Sequence, residues 1–385
     1  MKNTILSVLA FAGLSAGTTS AKMNDNCVPY VATDPFAVQM FSTLAKEHKG
    51  NFVFSPAGVE AVLKLLQQGA RGTTAAELNA LPMGKTGIKS AMNPTEADAL
   101  FLADDFKLKA GIKADRIMRV PFATDATAAA KDINAWANEN TRGLIPSVIS
   151  AKDIDPRTRM VAANAIYLKE KWLHPFKKRA TRENADFTMS DGTTTKVSMM
   201  YNKDKFHYAE GEDWQAVAMY YDYGEEGSNG EPVCFIGILP KGNAKEFACT
   251  LTPHKYQTIR TALANTVPQD TIIRMPGFEL DPGTFSLTPA LKACGLSKVF
   301  TPAADFSGFS DEPLYLSDMI QRCYVKADEE GTEAAAVTMA IMVQCCAAPS
   351  PNMPKEITFD RPFIWVITDL NTAAAPYFMG ITEKP

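Results

Sequence analysis

One stretch near the C-terminus limits the folds open to this chain more than any other. It runs Glu329-Glu330-Gly331-Thr332-Glu333-Ala334-Ala335-Ala336-Val337-Thr338-Met339-Ala340-Ile341-Met342-Val343-Gln344-Cys345-Cys346, then breaks up at Pro349, Pro351 and Pro354. It carries no aromatic residue, no histidine and no charge after Glu333. One alternate set, Thr332, Ala334, Ala336, Thr338, Ala340 and Met342, is small or β-branched in all but its last member. A strand presents such a set on one face, so that face enters a packed sheet without burying a charge. The proline-rich end marks exposed, irregular chain. The segment therefore suits either a loop or a central strand. An Ala-rich helix is the competing reading, because Thr332 to Met342 has fair helix propensity, and on this stretch alone the helix is favoured.

The rest of the chain bounds the answer. Its 385 residues, 46% hydrophobic and 21% charged, are ordinary globular values. Residues 1–21 read as a secretory signal peptide: Lys2 is the positive start, Ile5 to Ala16 the apolar run, and Thr19-Ser20-Ala21 the small-residue cleavage site. The run is too short to span a bilayer and no second one follows, so a soluble secreted or extracytoplasmic protein with no membrane partner is expected. A net charge of −4 without a dense Lys/Arg run argues against nucleic acid. The seven cysteines are odd in number and lack Cys-x-x-Cys spacing, and the four histidines are scattered. That points away from a disulfide framework and from any metal site or cofactor. The absence of an Asn-x-Ser/Thr acceptor leans toward a bacterial envelope or medium. The one Gly-x-Ser-x-Gly match, Gly13 to Gly17, lies inside the signal, so no enzyme is expected.

Apolar spacing predicts helices over Asp34–Lys46, Ala57–Gln68 and Asp125–Asn140, and a short one over Leu287–Cys294. Thr73 is expected to cap a further helix, with Glu77 near capping-box spacing. Asn51–Pro56 reads as a short buried strand. Thr158–Leu168 is almost unbrokenly apolar, the mark of a strand buried on both faces, with the amide of Asn164 in its middle. Ala216–Tyr221 and Val233–Leu239 flank a glycine-rich turn, and Ile357–Phe359, Phe363–Thr368 and Pro376–Met379 complete a strand-rich second half. With no repeat and no linker, residues 22–385 read as a single α+β domain.

Several blocks, in order, resemble the serpin family over residues 34–385. They include Asn51-Phe52-Val53-Phe54-Ser55-Pro56, Gly69-Ala70-Arg71-Gly72-Thr73-Thr74, Ile133-Asn134-Ala135-Trp136 and Asn164-Ala165-Ile166-Tyr167-Leu168-Lys169 with Trp172 and Phe176. Ala304-Asp305-Phe306-Ser307-Gly308, Glu329 to Ala336, Arg361-Pro362-Phe363 and Phe378-Met379-Gly380 follow. The resemblance implies the serpin fold: three β-sheets, eight or nine helices and an exposed C-terminal reactive loop, here about residues 329–354. It implies a monomeric serine protease inhibitor that acts as a suicide substrate, its cleaved loop entering the main sheet as an extra strand.

In that family the hinge corresponds to Glu329, Glu330, Gly331, Thr332, Glu333, Ala334, Ala335, Ala336, Val337 and Thr338, and here it is free of disruptive bulk. The network beneath the opening sheet corresponds to Ser55, Asn164, Gln321 and Trp172. Three positions depart from the pattern: Gly58 replaces a serine, Gln321 a histidine, and Gly277 a lysine that pairs with the glutamate at the hinge base. Family hinge length places the reactive bond at Cys345–Cys346, with neighbouring registers from Gln344 to Ala347 also open. With no Lys, Arg or Asp between Glu333 and Lys355, the bait suits an elastase-like protease first and a chymotrypsin-like one second. A non-inhibitory serpin that acts as a binding or chaperone-like protein is the alternative.

Overall fold

The computed structural model describes residues 33–84, 95–109, 117–168, 170–222, 232–332 and 353–385. The leader, Glu333 to Thr338, Cys345 and Cys346 lie outside the described residues.

The α-helices, in chain order, are α1 (Pro35–Glu47), α2 (Pro56–Gly69), α3 (Gly72–Ala80), α4 (Ala126–Asn140), α5 (Ala244–Cys249), α6 (Pro253–Ala264) and α7 (Thr288–Ala293). The strands begin with β1 (Phe52–Phe54), β2 (Thr95–Ala103), β3 (Ile117–Val120), β4 (Met160–Tyr167), β5 (Glu170–Lys171), β6 (Arg182–Thr188), β7 (Thr194–Glu210), β8 (Trp214–Tyr220) and β9 (Val233–Pro240). They continue with β10 (Gln269–Pro276), β11 (Phe278–Leu280), β12 (Phe285–Ser286), β13 (Asp318–Ala327), β14 (Gly331–Thr332), β15 (Lys355–Thr358), β16 (Phe363–Asp369) and β17 (Phe378–Thr382). Three one-turn 3-10 helices complete the set among the described residues, beside the eight or nine helices that the resemblance implies.

The main sheet runs β3-β2-β4-β13-β14-β5, with β11 and β12 on the far side of β13. The other strands form two sheets that share β7. Met199 to Phe206 of that strand pair with β10, and His207 to Glu210 pair with β8. The order β1-β17-β16-β9-β8 makes one of them; β6, β10 and β15 surround the front half of β7 in the other. Residues 333–352 thus join the main sheet at Thr332 to the third sheet at Lys355.

Local chemistry explains the elements that matter here. Asp34 starts α1 by accepting from the amides of Phe36 and Ala37, followed by a proline at the first helical position. Ser55 starts α2 in the same way, its hydroxyl accepting from Gly58 at 3.1 Å. Helix α2 lies against one face of β2 and β4, where Asp98 and Asn164 stand side by side in register. Phe101, three residues on from Asp98, points to the opposite face and meets Trp136 of α4 edge-on at 5.3 Å. The main sheet is therefore sandwiched, which is why β4 reads as nearly continuous apolar residues. Strands β9 and β16 are buried along their whole length, and Phe235 stacks on Trp365 between them at 5.8 Å.

Some local expectations change. Thr73 lies inside α3, whose N-cap is Arg71 with no side-chain bond. The Glu77 carboxylate instead accepts from the amides of Ser297 and Lys298, at 3.2 and 2.7 Å, and so starts the turn at Lys298–Phe300. The last strand lies about two residues later than the apolar run Pro376–Met379 suggests. Helix α6 has no clear sequence signal because its inward face, Tyr256, Ile259, Arg260 and Leu263, contains an arginine. That guanidinium is fully buried and donates to the carbonyls of Asp369 and Thr372, both at 2.8 Å.

Candidate functional site

The segment that the resemblance assigns to the hinge begins where β13 ends. The amide of Asp328 donates to the Gly331 carbonyl at 2.9 Å, and its carboxylate accepts from the amides of Glu330 and Gly331 at 2.9 and 3.3 Å. This tight reversal returns the chain into the sheet as β14. Gly331 and Thr332 lie antiparallel between Ala327 on one side and Glu170–Lys171 on the other. A Cβ at Gly331 would overlap the carbonyl oxygen of Glu170. Gly331 is thus required by close backbone approach.

Thr332 is buried, and its hydroxyl shares a 2.8 Å hydrogen bond with the Tyr221 hydroxyl. Burial pushes the Tyr221 phenol well up, so it stays neutral and can act as donor or acceptor. Tyr221 stacks on Trp172 at 4.8 Å and 13°. The Trp172 indole donates to the carbonyl of Asp328 at 2.9 Å, and its amide donates to that of Glu330 at 3.0 Å. Trp172 is therefore a brace for the hinge and stands apart from Ser55, Asn164 and Gln321.

The two glutamates of the hinge base are tied to one short segment. Glu329 accepts from the Thr181 hydroxyl at 2.7 Å, and Glu330 from Lys178 at 2.7 Å. Lys178, a solvent-exposed ammonium, has its pKa raised by this hydrogen bond to Glu330. The position left without lysine, Gly277, adjoins Phe278, which pairs with Ala327. The glutamates thus take alternative partners from a neighbouring turn.

Below β14 the sheet is closed. β4 and β13 pair directly and in parallel from Val161 opposite Asp318 to Tyr167 opposite Tyr324. Mid-seam, Asn164 stands opposite Gln321, and a chain of buried amides crosses it. The Ser55 amide donates to Gln321 Oε1 at 2.8 Å, while Gln321 Nε2 donates to the Ser55 carbonyl at 3.1 Å and to Asn164 Oδ1 at 2.6 Å. Asn164 Nδ2 then donates to Asp98 Oδ1 at 2.7 Å. A Cβ at Gly58 would overlap the Asn164 amide, so the absence of a side chain there makes room for this chain. Structure thus brings Ser55, Gly58, Asn164 and Gln321 together and adds Asp98, which no spacing rule flags in Ala97–Leu102.

Among the described residues no three His, Cys, Asp or Glu side chains stand together as a metal site would need, and Cys234, Cys249, Cys294 and Cys323 are free.

Replacing Gly331 with alanine forces a Cβ against backbone that cannot rotate away. Overpacking of this kind costs about 1–3 kcal/mol. Gly331→Ala is expected to lower the thermal midpoint by about 2–6 °C, measured by scanning calorimetry.

A family model described as Serpin (serine protease inhibitor) matches residues 31–98 and 95–385. Human serpin B8 is 30% identical over 375 residues, covering 90% of this chain and 96% of the relative. The bovine leukocyte elastase inhibitor is 29% identical, covering 92% and 98%. The solved structure of tengpin, a thermophilic serpin in its native state, is 26% identical and superposes with a TM-score of 0.76, covering 94% of this chain and 95% of that one. Together with the three sheets, the hinge returning into the main sheet and the sealed seam, these similarities establish that the chain belongs to the serpin family of serine protease inhibitors.

Proposed function

We propose that this serpin inhibits its target by suicide-substrate loop insertion, and that residues 22–385 are a single secreted, monomeric domain released from the leader 1–21. The observation that carries the reading is the start of β14, seated between β13 and β5 directly above the closed β4–β13 seam. Continuing β14 downward requires β4 and β13 to part by one further strand spacing, about 4.8 Å. One parallel pairing is then replaced by two antiparallel ones, and antiparallel pairing is slightly the more stable per residue. Loop insertion in serpins is an established instance of strand addition. The alternating Thr332, Ala334, Ala336 and Thr338 supply a face small enough to be covered by the helix layer, while Glu333 falls on the other face.

A protease whose serine has attacked the bait carbonyl, releasing the C-terminal peptide as its amine and keeping the rest of the chain as an acyl ester, is carried along as the strand enters. The uncharged bait around Cys345–Cys346 fits an elastase-like pocket, the class to which the name of the bovine relative also points. Mixing the protein with a pancreatic-type elastase is expected to give a covalent complex that survives denaturing electrophoresis, plus a released C-terminal peptide whose mass fixes the bond. Clean cleavage without complex would instead support the binding or chaperone-like alternative. Amino-terminal sequencing of protein recovered outside the cytoplasm tests the leader, with Lys22 as the expected first residue.

A further inference from the structure

Two carboxylic acids with no part in the hinge or the seam are shut inside the protein. Asp34 is 1% exposed and Glu60 2%. Asp34 Oδ1 is spent on the first amides of α1, at 2.9 and 3.1 Å. Glu60, on α2, accepts from the Gly84 amide at 2.8 Å through Oε1 and meets Lys64 at 3.2 Å through Oε2. Asp34 Oδ2 is buried with no donor, and the group beside it is the Glu60 carboxyl. The backbone at Gly84 closes in on both acids: a Cβ there would stand 3.2 Å from Asp34 Oδ2.

Lys64 faces the Glu60 end of the pair, and Tyr256 lies close enough for the Asp34 charge to raise its phenol; the other surrounding ionisable groups are engaged elsewhere. On α6, Tyr256 is buried and Arg260 is held by two carbonyls. On α5, Lys245 bonds the His48 carbonyl and Glu246 is exposed; on α7, Lys292 lies over Phe300. Asp98, on the strand under α2, accepts from Asn164, and Glu77 of α3 serves Ser297 and Lys298. Two ionised carboxylates in one dry site repel, whereas a single shared proton turns the contact into a hydrogen bond.

We propose that Asp34 and Glu60 share one proton and form a pH-sensitive latch between α1 and α2, closed in acid and pushed apart when that proton leaves to solvent. Burial first, then the hydrogen bond and charge of Glu60, hold the Asp34 carboxyl up at about 8. An acid whose folded-state value lies above its unfolded value, near 4, lends stability that is complete below about pH 4 and is lost as pH rises through about 8. The latch does not depend on the inhibitory reading, since it concerns the packing of two helices.

The test follows urea unfolding of the full chain from pH 5 to pH 9 for the wild type, Asp34→Asn and Glu60→Gln. Asparagine keeps an oxygen for the α1 amides and offers its NH₂ to Glu60, and glutamine keeps an oxygen for Gly84 and carries no charge toward Asp34, at the loss of the partly exposed Lys64 contact. Each amide imitates the protonated acid at every pH. Relative to either variant, the wild-type unfolding constant is expected to rise about tenfold per pH unit up to about pH 8, one proton's worth. Both variants should then equal or exceed the wild type at pH 8.5. Either variant alone suffices if the other fails to fold. Wild-type and variant curves that run parallel across the range would overturn the proposal, because a merely structural cap loses the same stability at every pH.

Discussion

A single cut in the loop between Gln344 and Ala347 is expected to raise the thermal midpoint of this protein by about 10 °C or more. Continuing β14 by about ten residues makes about twenty backbone hydrogen bonds and breaks about seven across the β4–β13 seam, a gain of about thirteen, each worth a net 0.5–1.5 kcal/mol. Ordering those residues costs about 1–2 kcal/mol each, part of which is already spent where the loop is anchored at both ends. The balance is of order 5 kcal/mol, and at about 2 °C per kcal/mol for a chain of this size the shift is about 10 °C. The gain appears only if the seam opens, since a cut loop left outside the sheet adds no strand. Scanning calorimetry before and after limited elastase treatment measures it. An unchanged or lowered midpoint would mean that the strand has not entered.

The second large effect is expected at the seam itself. Gln321→Ala leaves the Ser55 amide and Asn164 Oδ1 buried without their partner, while the Ser55 carbonyl keeps the Val59 amide at 3.1 Å. Each unsatisfied group costs about 1–3 kcal/mol, so a total near 4 kcal/mol falls on the closed sheet. The thermal midpoint should drop by about 10 °C. The closed arrangement alone bears this penalty, so the uncut loop should also enter spontaneously and inhibitory activity should decay faster at 37 °C. Gln321→His, which restores the family residue, retains a donor and an acceptor and should lose less on both counts. A Gln321→Ala protein that melts and decays like the wild type would show that the amide chain does not hold the seam.

Much of this was legible in the residues because it depends on neighbours in sequence. The period of Phe36, Met40, Phe41 and Leu44 specifies α1, and the unbroken apolar run of β4 requires cover on both faces. Of the segment read as the hinge, only Glu329 to Thr332 lies among the described residues, and there the turn and the start of β14 follow Gly331. What stayed hidden depends on partners far apart in the chain. Asp98 is one acid in an apolar strand, and nothing nearby reveals that it accepts from Asn164, 66 residues on. The sequence likewise groups Trp172 with Ser55 and Asn164, whereas its indole bonds the chain 156 residues later, at the turn before the hinge. The apparent loss of a lysine at Gly277 turns out to be met from another segment, by Thr181 and Lys178. Gly58 is the most instructive departure: a missing hydroxyl in the sequence is, in the fold, space for the Asn164 amide.

Under the proposed mechanism, the residues beyond Thr332 enter the β4–β13 seam as a strand once the loop is cut. A crystal structure of the loop-cleaved protein tests it most directly. Glu333 to Cys345 should lie as a strand between β4 and β13, antiparallel to both, with the hydrogen bond between Gln321 and Asn164 broken. A cleaved protein in which β4 and β13 remain paired from Val161 to Tyr167, with the cut loop outside the sheet, would contradict it.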